Sequence, residues 1–292
     1  MDKFLARIIN SLSFRGFLKW MPDALLLRIV FRLKVGYRLN LKNPKTFNEK
    51  LQWLKLYNRN PLYSQLVDKF AVRKYVAQKI GDQCLIPLIG VWDKFEEIDF
   101  SKFPNQFVLK CTHDSGGVIV CKDKSKFDYK LAKKRINDSL KRNYFWTLRE
   151  WPYKNVRPRI IAEQYMEVNP VEGLPDYKIF CFNGEPRIWF TVTNRCNGDP
   201  RCDYYDFEGK HLPFEQGYKN SDVPITSPAT LNQMREYARK LTEGMPHCRV
   251  DFYSVNDQVF FGELTFFDSS GMEPFEPQKW DETLGSWIEL QK

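Results

Sequence analysis

The 292-residue sequence contains no run of about 18 or more apolar residues, so no segment of it reads as a membrane-spanning helix. Arg7, Arg15 and Lys19 interrupt the N-terminal stretch and no small-residue cleavage site follows, so a secretory signal is not expected. Cysteine is sparse: the 7 residues stand at 84, 111, 121, 181, 196, 202 and 248, with no Cys-x-x-Cys and no Cys/His cluster at zinc spacing. Several lie in apolar, strand-like runs where cysteine acts as a small hydrophobe. A reducing cytoplasm and no structural metal are therefore expected. Histidine is scarcer still, at 113, 211 and 247, with no convincing Ser/His/Asp set and no Cys/His pair. No Gly-Lys-Ser/Thr enters a helix, which excludes a Walker loop. The closest approach to an Asp-x-Asp metal motif, Asp203-Tyr-Tyr-Asp206, has the wrong spacing. No internal repeat or low-complexity tract interrupts the chain.

What is present is charge, unevenly placed, and aromatic residues at 15%. The formal charge is +9, yet residues 1–45 alone hold ten Lys/Arg against Asp2 and Asp23 and so carry nearly all of it. The basic balance thus belongs to an N-terminal arm and not to a nucleic-acid-binding body. Within that arm Phe4, Leu5, Ile8, Ile9, Leu12, Phe17 and Leu18 alternate with basic residues, and a second helical run follows from Ala24 to Leu33. Such a pair either lies on an anionic membrane surface or caps the body with its basic face in water.

Thr46 with Glu49 is a capping box opening a helix, and a longer helix is expected from about Leu62 to Ile80, ending at Gly81. Phe107 to Cys111 reads as a buried strand that nonetheless contains Lys110. It runs through His113-Asp114-Ser115-Gly116-Gly117 into a second strand, Val118 to Cys121. Most such loops are turns, but a lysine in an apolar strand needs an anionic partner, and free N–H groups in a glycine loop reach phosphate oxygens. Tyr129 to Leu148 reads as a helix, and Asn183-Gly184 as a hairpin turn. The stretch from His247 to Ser270 reads as a hairpin turned at Asn256-Asp257. It sets Asp251 near Glu263, with Arg249 on the same face. Two carboxylates and an arginine there are either a surface ion pair or a cradle for a hard cation and a polyphosphate. Helices followed by mixed strands and hairpins point to an α+β fold with largely antiparallel sheets.

Five stations taken together resemble the ATP-grasp superfamily, and within it the teichuronopeptide-type (TupA-like) branch found with surface polysaccharide biosynthesis. They are Pro-Lys-Thr-Phe-Asn-Glu-Lys-Leu-Gln-Trp at 44–53, Asp-Lys-Phe-Ala-Val-Arg-Lys-Tyr-Val at 68–76, Phe-Val-Leu-Lys-Cys-Thr-His-Asp-Ser-Gly-Gly at 107–117, Asp-Tyr-Lys-Ile-Phe-Cys-Phe-Asn-Gly at 176–184, and Arg-Val-Asp-Phe with Gly-Glu-Leu-Thr-Phe-Phe across 249–267. The resemblance covers roughly residues 40–285 and implies two α+β lobes with ATP between them. It divides the chain into a basic arm (1–42), a helical region leading into the first lobe (43–105), a small lobe with the glycine loop and hinge (106–166) and a large lobe with the Mg²⁺-binding hairpin (167–292).

By position, the resemblance makes Lys69 and Lys110 phosphate-binding lysines and Ser115-Gly116-Gly117 the closing loop. Glu163 to Met166 becomes the hinge, with the Gln164 C=O and Met166 N–H reading adenine. Asp251 and Glu263 become Mg²⁺ ligands, and Arg249 a phosphate- or intermediate-binding arginine. Where the superfamily has Glu-x-Asn, this sequence has Thr265, a weaker ligand. Lys178 is either a surface residue or a phosphate- or acid-binding one. His113 is a loop histidine or a proton shuttle. Arg187, Arg195 and Arg201 are solvated or hold a substrate carboxylate. The implied activity is ATP- and Mg²⁺-dependent ligation of a carboxylate, here a uronic acid of a surface polysaccharide or its precursor, to an amino acid or small amine. A kinase on the same site, a glycosyltransferase and a non-enzymatic membrane scaffold are the rival readings.

Overall fold

The computed structural model describes residues 2–166, 174, 176–194 and 198–290. Helices α1 (Asp2–Phe14) and α2 (Asp23–Val35) form the N-terminal hairpin. Leu26, Leu27, Val30 and Phe31 fall on one face of α2 and are buried against Leu148 and Met272 of the body.

The capping box forms as expected at α3 (Phe47–Tyr57): the Thr46 hydroxyl accepts from the Glu49 N–H while the Glu49 carboxylate accepts from the Thr46 N–H. The expected helix over 62–80 is instead two, α4 (Leu62–Val67) and α5 (Val72–Ile80). Asp68 causes the break. Its Oδ1 accepts from the N–H groups of Phe70 (2.8 Å) and Ala71 (3.1 Å), taking donors that a continuous helix would use. The break turns the Lys69 N–H onto the Thr112 carbonyl at 3.1 Å, fixing this corner to the strand that carries Lys110.

The first sheet holds β1 (Leu88–Trp92), β2 (Phe107–Cys111), β3 (Val118–Cys121) and β4 (Ile160–Gln164), ordered β1-β4-β2-β3 and antiparallel throughout. Helix α6 (Tyr129–Leu140) covers one face, packing Ala132 and Ile136 on Phe107, Leu109 and Cys111. The expected helix to 148 stops at Leu140, and α7 (Phe145–Leu148) is a separate turn. β1 lies in the segment expected to lead into this lobe from 43 to 105, yet it pairs directly with β4, Val91 opposite Ile161. Only that long-range pairing assigns it to the small sheet.

The second sheet is built from β5 (Asp176–Phe182), β6 (Glu185–Thr193), β7 (Arg201–Tyr205), β8 (His211–Leu212), β10 (His247–Val255) and β11 (Gln258–Thr265), in the order β11-β10-β5-β6-β7-β8. The short strands β9 (Glu215–Gln216) and β12 (Phe275–Glu276) pair with each other. Helices α8 (Leu231–Leu241) and α9 (Lys279–Ser286) complete this half. α3, α4 and α5 bury Phe47, Leu66 and Val76 in the same core as Phe180, Phe252 and Met234, so these helices belong to the large half. Both predicted hairpin turns form with positive φ: Asn183 (52°) and Gly184 (83°), Asn256 (50°) and Asp257 (59°). Gly, Asn and Asp are the residues that accept that conformation at least cost. Among the described residues no helix is long and apolar enough to cross a membrane.

Candidate active site

Alternation along β2 sends Phe107, Leu109 and Cys111 into the core under α6 and leaves Lys110 on the opposite face, toward the second sheet. There Lys110 Nζ donates to Glu163 Oε2 at 2.7 Å, and Arg73 of α5 donates to Oε1 of the same carboxylate at 2.9 Å. Arg73 also donates to the Ile86 carbonyl. Lys69 Nζ reaches the Asp114 carbonyl in the glycine loop at 2.6 Å. The loop is held from behind: Asp114 Oδ1 accepts from the Gly117 N–H at 3.0 Å, and Oδ2 accepts from the Ser139 hydroxyl of α6. Gly117 has to be glycine, because a Cβ would stand 2.6 Å from Ser139 Oγ and 2.7 Å from Cys111 Cβ.

The facing wall is the β5–β10–β11 surface. The register pairs Asp251 with Glu263 and with Lys178, and Arg249 with Thr265. Arg249 gathers three carboxylates: Asp251 (2.6 and 2.8 Å), Asp268 (2.6 Å) and Glu263 (3.2 Å). Lys178 Nζ adds a second cation to Asp251 at 2.7 Å and bonds Asp176 at 2.5 Å. Burial would push the Asp251 carboxyl up, but Arg249 and Lys178 hold it below the ordinary value. Burial would likewise pull the Lys178 ammonium down, and Asp251 holds it above. A bulge opposite Asp251 inserts Gly262, where a Cβ would lie 2.9 Å from the Asp251 carbonyl oxygen.

Between the walls lies a cleft of about 450 Å³. Lys110, Ser115 and Glu163 line it from the small sheet, Lys69 from the α4–α5 corner, and Lys178, Arg249, Asp251 and Glu263 from the large sheet. The structure thus brings together eight of the residues singled out from sequence. Gly116 and Gly117 border smaller cavities beside the loop. Gln164 ends β4 and its N–H bonds the Pro87 carbonyl, while Met166 packs on Ile86, Val255 and Phe260, where the two sheets meet.

Other expected residues stand elsewhere. Thr265 faces Arg249 in register but is not among the cleft-lining residues. His113 is buried beneath α6 with Nε2 3.1 Å from the Ser139 carbonyl, and burial pulls its pKa down, so the proton-shuttle option does not fit its position. Arg187 sits at a bulge in β6, lies over the Trp287 ring and is not among the cleft-lining residues. Arg201 is held by Asp199 and the Asn220 carbonyl at the start of β7. Neither arginine reaches the cleft. Arg195 lies outside the described residues.

Three charged lining residues, Arg73, Asp176 and Asp268, were not among the site residues read from the sequence. Arg73 sits four residues after Lys69, a spacing that the expected helix over 62–80 would itself place on one face. Asp268 sits past the end of the hairpin, on a turn in which Ser269 (φ 46°), Ser270 (φ 56°) and Gly271 (φ 56°) are all left-handed. Side chains of α3 grip that turn: Gln52 donates to the Ser270 and Gly271 carbonyls and Lys55 to the Ser270 carbonyl. The Ser270 hydroxyl bonds the buried Glu150. Two successive left-handed serines are costly and persist where the surroundings fix them. The Asp-Ser-Ser-Gly run was the available signal.

The donor set fits a hard divalent cation in kind: Asp251, Glu263 and Asp268 all present carboxylate oxygens to the Arg249 guanidinium. Among the described residues no group of three or more His, Cys, Asp or Glu forms a ready-made metal cluster.

Two α+β lobes closing on a cleft, with a glycine loop on one lobe and a charged hairpin on the other, make the ATP-grasp arrangement. The chain belongs to the TupA-like ATPgrasp family, whose model matches residues 49–289. Among solved structures, the D-alanine–D-alanine ligase from Bacillus anthracis is similar at 16% identity over 73% of this chain and 63% of its own, with a TM-score of 0.42. The corresponding ligase from Helicobacter pylori is similar at 15% identity over 82% and 67%, TM-score 0.42. A RimK domain ATP-grasp protein from Sphaerobacter thermophilus is similar at 12% identity over 79% and 70%, TM-score 0.43. The chain thus spans 63% of the length of the first of these ligases. No curated protein matches it.

Proposed function

We propose that the protein is an ATP- and Mg²⁺-dependent carboxylate–amine ligase, with the two sheets as its nucleotide-binding lobes. The observation that carries this reading is the meeting of Lys69, Lys110 and Ser115 with Lys178, Arg249, Asp251 and Glu263 in one cleft. In the reaction a carboxylate oxygen attacks the γ-phosphorus of ATP, ADP leaves, and an acylphosphate forms. An amine then attacks the acyl carbon, inorganic phosphate leaves, and the amine gives up a proton. No side-chain nucleophile is required; the protein's tasks are alignment and charge neutralisation. In agreement, none of the three histidines lines the cleft.

Lys69 and Lys110 take the phosphates in this reading, exchanging the Asp114 carbonyl and Glu163 for phosphate oxygens, and the glycine loop closes over them. The segment from Glu163 to Met166 receives the adenine. Asp251, Glu263 and Asp268 hold Mg²⁺, which when bound screens the triphosphate. Arg249 and Lys178 turn from those carboxylates to the acid substrate. Kinship with teichuronopeptide-type proteins supports a uronic acid of a surface polysaccharide, or its precursor, as the acid and an amino acid or small amine as the partner. The six cysteines among the described residues are free and buried, which supports a reducing compartment.

Calorimetry of ATP with Mg²⁺ tests the site. Wild type binds, and Lys110→Ala and Asp251→Asn each weaken binding by about 1.5–3 kcal/mol, roughly tenfold to a hundredfold. Amine-dependent ADP release with candidate uronic acids then tests the reaction. Binding of a UDP-sugar by a wild type that takes no purine triphosphate would replace the ligase with a glycosyltransferase.

A further inference from the structure

The N-terminal hairpin has two faces of different character. Its inner face is fixed to the body. Arg149, itself buried, donates to the Leu18 carbonyl at 2.7 Å and pairs with Asp23 at 2.8 Å, and the Ser13 hydroxyl donates to the Trp146 carbonyl. Leu26, Leu27, Val30 and Phe31 complete the seal. The outer face is apolar and bare. Phe4, Ile8 and Leu12 recur at four-residue spacing along α1, so they form one stripe, with Leu5 at its side. Phe17 and Trp20 project from the connecting turn, and Leu25 and Ile29 continue the surface on α2. Phe4, Phe17 and Trp20 are 69%, 64% and 75% exposed. More than half of the large hydrophobic side chains exposed among the described residues lie in this short stretch. A patch of this kind marks an interaction surface.

The charges around it indicate the occupant. Arg7, Arg15 and Arg28 are exposed on the same two helices and turn, in the part of the chain that carries almost all of the net positive charge. A second copy would bring an equally basic arm against the first, whereas an anionic lipid surface offers complementary charge and an apolar interior. Aromatic and aliphatic side chains in the boundary, with arginines at the headgroups, are how an interfacial helix binds. The last residue of α1, Phe14, lies under the Arg142 guanidinium (5.0 Å) and lines a cavity of about 290 Å³ with Asp114, Ser115, Gly116 and Tyr144. Ser115 also lines the main cleft. The first helix of the arm therefore ends beside the glycine loop.

We propose that residues 4–29 seat the protein on an anionic bilayer through this outer face, bringing the glycine-loop side of the cleft close to the lipid surface. Seating follows from the arm's own residues and does not depend on the ligase reading.

Co-sedimentation of the full-length chain with lipid vesicles tests it. The chain binds vesicles of phosphatidylcholine and phosphatidylglycerol in about a 2:1 ratio, binds phosphatidylcholine alone far less, and is released by salt. The variant Phe4→Ser/Phe17→Ser/Trp20→Ser loses about tenfold or more of that binding while keeping the wild-type melting temperature and ATP affinity. Arg7→Gln/Arg15→Gln/Arg28→Gln loses the preference for anionic vesicles. Failure of the wild-type chain to bind anionic vesicles at low salt, or equal binding by the serine variant, overturns the proposal. So does a concentration-dependent dimer, seen by sedimentation, that the serine variant abolishes. Because ATP affinity is measured on the same preparations, absence of nucleotide binding by the wild-type chain would be recognised as failure of the ligase reading instead.

Discussion

The two walls of the cleft neutralise their charges in opposite ways. On the side of the small sheet a single carboxylate, Glu163 of β4, serves both Lys110 of β2 and Arg73 of α5, and Lys69 of the α4–α5 corner rests on a backbone carbonyl. This wall has cations in excess, and Lys110 and Arg73 keep part of their side chains exposed. On the large sheet Asp251, Asp268, Glu263 and Asp176 surround Arg249 and Lys178, so carboxylates outnumber cations, and Asp251 and Asp268 are buried. One wall is prepared for anions and the other for cations, which is the division a metal–polyphosphate pair requires. The difference also separates binding from stability. Buried ions are costly to leave without partners, whereas half-buried ones can turn to water.

Three experiments sharpen that contrast, beginning with the largest effect. Arg249→Met leaves three carboxylates facing one another, and unfolding in urea should show a loss of about 3–5 kcal/mol. A loss below about 1 kcal/mol would mean that the large wall is as open to water as the small one. Next is His247, buried among Phe47, Phe180 and Phe182 in the large half. Burial pulls its pKa from 6.5 to about 3. The unfolded chain therefore takes a proton below pH 6.5 that the folded chain refuses until near pH 3, and stability falls as pH drops through that window. His247→Leu should flatten the acid limb of the stability curve by on the order of a few kcal/mol; an unchanged limb would point to the carboxylate cluster as the acid-sensitive element. The smallest effect is expected from Glu163→Gln. It should cost about 1–2 kcal/mol of stability, because Lys110 and Arg73 are only partly buried, and it should leave ATP affinity equal or tighter because both cations are released. Weaker ATP binding would show that Glu163 positions Lys110 instead of occupying it.

Much of the large wall was legible because its residues are close in sequence. Asp251, Glu263 and Arg249 sit on one hairpin whose turn, Asn256-Asp257, takes the positive φ angles that its residue types favour, and the period-2 alternation places their side chains on one face. Lys110 was legible for the same reason, as a charge out of place in an apolar strand. Asp268 was not, because its position depends on a left-handed turn held by Gln52 and Lys55, more than two hundred residues away. Arg187 and Arg201 looked like a cluster in sequence, yet a strand bulge with Trp287 and a local ion pair with Asp199 hold them away from the cleft. His113 stood beside the right loop but packs into the core beneath α6.

The sequence alone determined the local devices: the capping box at Thr46, the two hairpin turns, the glycine loop and the carboxylate pair. Each is set by backbone preference and side-chain period over a few residues. Only the tertiary structure decided that β1 joins β4, that Asp68 splits a helix to aim Lys69 at the loop, that Asp268 completes the cluster, and that the arm keeps one apolar face uncovered. Those outcomes depend on which distant surfaces bury each other, and burial is a property of the packed chain that no short window of sequence contains.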